Sequence, residues 1–135
     1  MAKIPDRLNI DKKTDRELYD KIKEEVFLEM PRKGQFLFAM AFGFMYGTKR
    51  ELGTKDGFFL AKDMGPRDEA LINALAVAET GSVAVLSNRA RVYQIAEEYA
   101  HAGIRLLHDE VTSEEHGSFY KRFERDIFER LEGHM

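Results

Sequence analysis

Residues 35–46 read Gln-Phe-Leu-Phe-Ala-Met-Ala-Phe-Gly-Phe-Met-Tyr, a stretch without a single charge, with Gly34 before it and Gly47 after it. A helix that is apolar on every side belongs inside a protein or a membrane, and a bilayer span needs about 20 such residues. The segment is therefore read as a buried central helix about 18 Å long, around which the rest of the chain must pack. Ala39, Ala41 and Gly43 leave room on it for close neighbours. Periodicity alone leaves a buried strand open for 36–46, and strand or helical turn open for 83–86.

The flanking sequence supplies the packing partners. Thr14 and Glu17 have capping-box spacing, and Leu18, Ile22, Val26 and Met30 then recur at helical intervals until Pro31. Residues 1–13 show no hydrophobic period and read as a polar lead-in. Gly47, Gly53 and Gly57 among alternating charges mark a loop, or a short β-hairpin near residues 47–60. Pro66, Asp68 and Glu69 open a further helix that closes near Gly81. Ser87 or Asn88 caps another, containing Val92, Ile95, Ala96 and Tyr99, which Gly103 is expected to kink or interrupt. Ser113 or Ser118 begins the last, where Phe119, Phe123, Ile127 and Leu131 form its stripe. A chain of 135 residues is the size of one ordinary domain. The expected fold class is mainly α: a single compact domain over 14–132 with five or six helices and, at most, a minor hairpin.

Chemistry is easier to exclude than to assign. The absence of cysteine removes disulfides, thiolate zinc sites and thiol nucleophiles. The N-terminus lacks the apolar core of a signal peptide, so a cytoplasmic location is the expectation, and no segment is long enough to span a membrane. Only two glutamines and three asparagines stand beside many Lys, Arg and Glu, a composition seen in thermophile proteins. No Gly-x-Ser-x-Gly elbow occurs, and the glycine spacings 47, 53 and 57 lack the Gly-Lys-Ser/Thr ending of a phosphate loop. Glu98 and His101 form one Glu-x-x-His step, but a carboxylate-bridged di-metal bundle needs a second copy, which the chain does not have. His101, His108, His116 and His134 match no metal-ligand spacing and are read as surface residues. No catalytic residue, cofactor or metal is assigned, and a metal-dependent enzyme using Glu98 and His101 stands as the weaker alternative.

Charge is uneven along the chain. Residues 31–67 carry a balance of +4, whereas residues 68–135 carry −6. Arg32 and Lys33 precede the apolar segment, and Lys49, Arg50 and Lys55 follow it. If the loop folds back, these five are the candidates for contact with a DNA phosphate backbone. The competing reading has them complement the acidic remainder, within the chain or across a subunit contact. Ten phenylalanines are many for so small a domain. Some of them suit a subunit interface, so a homo-oligomeric interaction module without a nucleic-acid role is a second alternative.

Four stretches carry a family likeness. They are Phe36-Leu-Phe-Ala-Met-Ala-Phe-Gly-Phe, Gly47-Thr-Lys-Arg-Glu-Leu, the run from Asp68 to Gly81, and Tyr93-Gln-Ile-Ala-Glu-Glu-Tyr-Ala-His-Ala-Gly-Ile. In that order, over about residues 14–132, the chain resembles the small Dnd system-associated proteins encoded beside bacterial and archaeal DNA phosphorothioation genes. The resemblance implies a non-enzymatic accessory role in DNA sulfur modification or the linked restriction of unmodified DNA. Protein partners of that system, and DNA itself, are the binding partners it suggests. It carries over no functional residues.

Overall fold

The computed structural model, which describes residues 4–112 and 116–133, begins with a strand inside the stretch that shows no hydrophobic period. β1 (Arg7–Asp11) buries Leu8 and Ile10 completely, two alternate positions too few to register as a pattern. Asp11 ends it. The Asp11 carboxylate accepts the Lys13 and Thr14 N–H groups, the Thr14 hydroxyl and, from the far side, the Gly53 N–H. Burial pushes this carboxyl up, but the N–H groups of Gly53, Lys13 and Thr14 outweigh that and hold it below its ordinary value. Helix α1 (Asp15–Ile22) follows, and its expected capping box is absent: the Thr14 hydroxyl bonds to Asp11 and Asp15 instead of the helix amides. A π-turn over Lys23–Phe27 continues α1, and Leu28 at φ 50° closes it before Pro31.

The apolar segment is helical. Helix α2 (Arg32–Met45) buries Phe36, Leu37, Ala39, Met40, Phe42 and Gly43. Strand β2 (Lys55–Leu60) lies within the window read as a local hairpin, yet its antiparallel partner is β1, with Arg7 opposite Leu60 and Asp11 opposite Lys55. The loop after α2 carries the chain back across the molecule to β1, so the ribbon is closed by tertiary structure and not by a tight turn. A bulge between Leu8 and Asn9 in the register leaves Phe58 as the extra residue of β2, directed into the core. Helix α3 (Pro66–Thr80) has Pro66 at its first position and Gly81 at φ 73° as its stop, and the Asp68 carboxylate accepts the Gly65 N–H. A 3₁₀ turn spans Val83–Ser87.

Helix α4 (Arg89–Val111) is capped by the Asn88 side chain and runs unbroken through Gly103, where an interruption was expected. Gly103 serves packing instead. α4 and α2 form the largest contact in the fold, and a Cβ on Gly103 would stand 1.8 Å from the Ala39 carbonyl oxygen. Helix α5 (His116–Glu132) packs Phe123 on Phe38 and Phe42, Asp126 accepts the Tyr46 hydroxyl, and Arg130 covers the Tyr46 ring. Ser113 and His134 lie outside the described residues. Among the described residues the architecture is five α-helices with one two-stranded antiparallel ribbon, as the mainly-α reading expects.

Tyr19 sits in the core between Phe27 and Phe58, with ring centroids 5.9 and 4.6 Å away. Among the described residues its buried hydroxyl has no hydrogen-bond partner. Burial, then the nearby Asp15 charge, keeps that hydroxyl protonated far above its ordinary range. Tyr19→Phe preserves the ring contacts and removes the orphaned group. It is expected to leave the urea midpoint unchanged or raise it, by up to about 1 kcal/mol of stability; a clear loss would mean that the hydroxyl has found an acceptor.

Candidate functional site

Three ionisable side chains of α4, Glu97, Glu98 and His101, are buried, although the pattern placed the histidine at the surface. His101 Nδ1 lies 2.8 Å from both carboxylate oxygens of Asp15, itself 1% exposed at the start of α1. A carboxylate offers only acceptors, so Nδ1 carries the hydrogen. Asp15 also accepts the Asp11 N–H and the Thr14 hydroxyl. The pair thus pins α4 to the corner where β1 becomes α1, a position that suits a carboxylate because it is also a helix N-terminus.

One turn earlier, Glu97 Oε2 accepts both the Asn9 backbone N–H (2.7 Å) and its side-chain amide (2.8 Å), which ties α4 to β1. Burial is the leading influence on Glu97 and raises its carboxyl above the ordinary value, against the lowering effect of the Asn9 bonds and Lys55. Glu98 behaves differently. It is 7% exposed, yet its carboxylate accepts no hydrogen bond and joins no ion pair among the described residues. It lines a cleft of about 180 Å³ with Glu97, Gln94, Glu51, Leu52 and Lys55. Glu98 and His101, neighbours on one helix, therefore turn to different surroundings. Among the described residues no three His, Asp or Glu side chains gather as metal ligands would.

The five basic candidates fall on different elements. Arg32 and Lys33 stand at the start of α2, Lys49 and Arg50 lie beyond its far end, about 20 Å of helix away, and Lys55 opens β2. Lys33 pairs with Asp68 at 2.9 Å, and its hydrogen bond, with the Gly65 N–H, lowers that carboxyl. Lys49 pairs with Glu79, which also accepts the Tyr99 hydroxyl; the Lys49 bond is the chief cause of the lowered Glu79 carboxyl. Burial and that same carboxylate push the Tyr99 hydroxyl up to about 12. Lys55 stands 3.8 Å from Glu97. Arg32 stacks over the Phe58 ring at 5.2 Å beside a second, open groove that Lys33 and Phe59 also line. Arg50 is exposed and uses its backbone N–H to bond the Glu98 carbonyl at 3.0 Å. The carboxylates that take up Lys33, Lys49 and Lys55 all come from the acidic half of the chain, and no local sequence signal pairs them.

No helix among the described residues is long and apolar enough to cross a membrane. No curated protein and no solved structure matches the chain significantly. Residues 13–121 match the family described as DNA sulphur modification system-associated protein 4, in agreement with the resemblance carried by the four sequence stretches, and the chain belongs to that family.

Proposed function

We propose that this protein is a non-enzymatic accessory component of a DNA sulphur modification system and that it works mainly by contacting proteins of that system. Family membership supports the accessory role. The preference for protein over DNA rests on one observation: Lys33 and Lys49 are each paired with a carboxylate of the same chain, and Lys55 stands 3.8 Å from a third. A phosphate-binding surface gains affinity by releasing counterions from DNA, and a lysine already held by an internal carboxylate contributes little to that exchange. Of the five candidates, Arg32 and Arg50 remain as cations without a carboxylate partner among the described residues, at opposite ends of α2. Exposed Leu71 on α3 and Val83 just after it add apolar surface suited to a partner protein.

The test has two arms. The isolated protein is titrated against duplex DNA by fluorescence anisotropy at increasing salt, and it is co-expressed with the other proteins of the modification system for size-exclusion analysis. The expected result is a stoichiometric complex with at least one of those proteins. DNA binding should be no tighter than the non-specific range of about 10⁻⁴–10⁻⁶ M, and weakened further by Arg32→Glu with Arg50→Glu. Submicromolar DNA binding at physiological salt, with no protein complex, would overturn the reading.

A further inference from the structure

We infer that the cleft between the α2–β2 connection and α4 seats one arginine side chain of a protein partner, its guanidinium held by Glu98 and Glu51. The inference rests on the protein-contact reading above and names the group that the contact recognises.

Glu98 is the starting point. Its side chain is more than nine-tenths buried, yet among the described residues its carboxylate has neither a hydrogen-bond donor nor a cation, whereas buried polar groups ordinarily have a partner. Glu98 lines the cleft. Glu97 stands beside it but is committed, with Oε2 taken by both Asn9 donors and Oε1 facing Lys55. Glu51 lines the opposite side. Against these three carboxylates the cleft holds one ammonium, Lys55, which is 57% exposed and stands 3.8 Å from its nearest carboxylate oxygen. The cleft thus carries more negative than positive charge.

Size and lining select the ligand. About 180 Å³ is below the roughly 300 Å³ at which small-molecule pockets begin, so the space suits one side chain better than a whole metabolite. Leu52 offers an apolar wall for a methylene stem, and Gln94 offers an amide oxygen. The acidic side chains are not gathered as metal ligands. A guanidinium presents donors along two edges, is more weakly hydrated than an ammonium, and meets carboxylates in pairs.

The site is also held in shape before anything binds. The connection bearing Glu51 and Leu52 is fastened on both sides, by the Arg50 N–H to the Glu98 carbonyl (3.0 Å) and by the Gly53 N–H to Asp11 Oδ2 (2.8 Å). A cleft with fixed walls spares the ordering cost that a mobile loop would add on binding. A buried arginine in such a pocket is a typical energetic centre of a protein interface.

The experiment titrates the ¹⁵N-labelled full chain with the blocked tripeptide acetyl-Gly-Arg-Gly-amide, and separately with its citrulline counterpart, at matched ionic strength. Expected are saturable shifts of the Glu51, Leu52, Gln94 and Glu98 amides with the arginine peptide alone. Glu98→Gln should weaken that binding about tenfold and Glu51→Gln by less. Each variant's thermal unfolding is recorded, and Glu51→Gln, altering an exposed residue, keeps the test decisive if Glu98→Gln folds poorly. Equal shifts with citrulline, shifts outside the cleft only, or full affinity in a folded variant would each overturn the assignment. The partner complex separates the two readings. A complex that forms equally well with Glu98→Gln removes the arginine site and leaves the accessory reading standing. Failure of the unaltered protein to form any complex removes the accessory contact, while the peptide titration still judges the cleft.

Discussion

Gly103→Ala is expected to destabilise the protein by about 3 kcal/mol or more, and Gly43→Ala by a similar amount. Alanine is the better helix former, worth about 1 kcal/mol in a helix interior, so on propensity alone both changes should help. Sterics decide otherwise. The new Cβ at 103 would stand 1.8 Å from the Ala39 carbonyl oxygen and 2.8 Å from the Gly43 nitrogen, and the one at 43 would stand 2.2 Å from the Tyr99 carbonyl oxygen. All of these are backbone atoms, so no rotamer change relieves the clash. α2 and α4 would have to move apart along the largest contact in the fold, losing dispersion contacts around Phe36, Met40, Ile95 and Ile104. Thermal unfolding should show a drop on the order of 10 °C. Ala74→Gly, on the exposed face of α3, gives the scale of a pure propensity loss, about 1 kcal/mol. A Gly103→Ala protein as stable as the unaltered one would mean that the helices do not cross at these glycines.

The second large effect is expected at the buried pair. His101→Ala should cost about 3–5 kcal/mol, because it leaves the Asp15 carboxylate, 1% exposed, without its imidazole donor and opens a void beside it. Asp15 would retain the Asp11 N–H and the Thr14 hydroxyl, which limits the loss but does not cancel it. Asp15→Asn should cost less, since one amide oxygen still accepts from Nδ1. A double-mutant cycle in urea separates the pair from its surroundings. The two changes should be non-additive by more than about 0.5 kcal/mol, and strict additivity would show that no energy passes between the two groups. The same pair has a structural consequence, for it joins α4 to the turn between β1 and α1. Its loss should therefore lower hydrogen-exchange protection in β1 before it does so in α3.

The site was only half legible in the sequence. The basic candidates stood out because a charge count needs no fold, and Lys33 and Lys49 stand toward the two ends of α2, with Lys55 at the start of β2. Their carboxylate partners, Asp68, Glu79 and Glu97, lie far along the chain on α3 and α4 and have no local link to them. Glu98 and His101 stood out as a spacing. One helix turn separates them, yet the partners that give each its chemistry come from elsewhere: Asp15 for the histidine, and the residue 51–55 connection for the glutamate. The strand at β1 was missed because two buried residues, Leu8 and Ile10, are too short a sample of a period-2 pattern.

By itself, then, the sequence marked the amphipathic helices and most of the prolines and glycines that bound them, and showed that an uncharged stretch at 35–46 must lie at the centre, while leaving helix or strand open there, because periodicity and local backbone preference act over a few residues. Tertiary structure alone decided that Gly103 is a crossing point and not a break, that β2 pairs with the N-terminal β1, that three lysines stand beside carboxylates from far along the chain, and that one buried glutamate lines an open cleft. Each of these depends on atoms brought together across tens of residues, and a contact of that kind leaves no mark on the local pattern of a single chain.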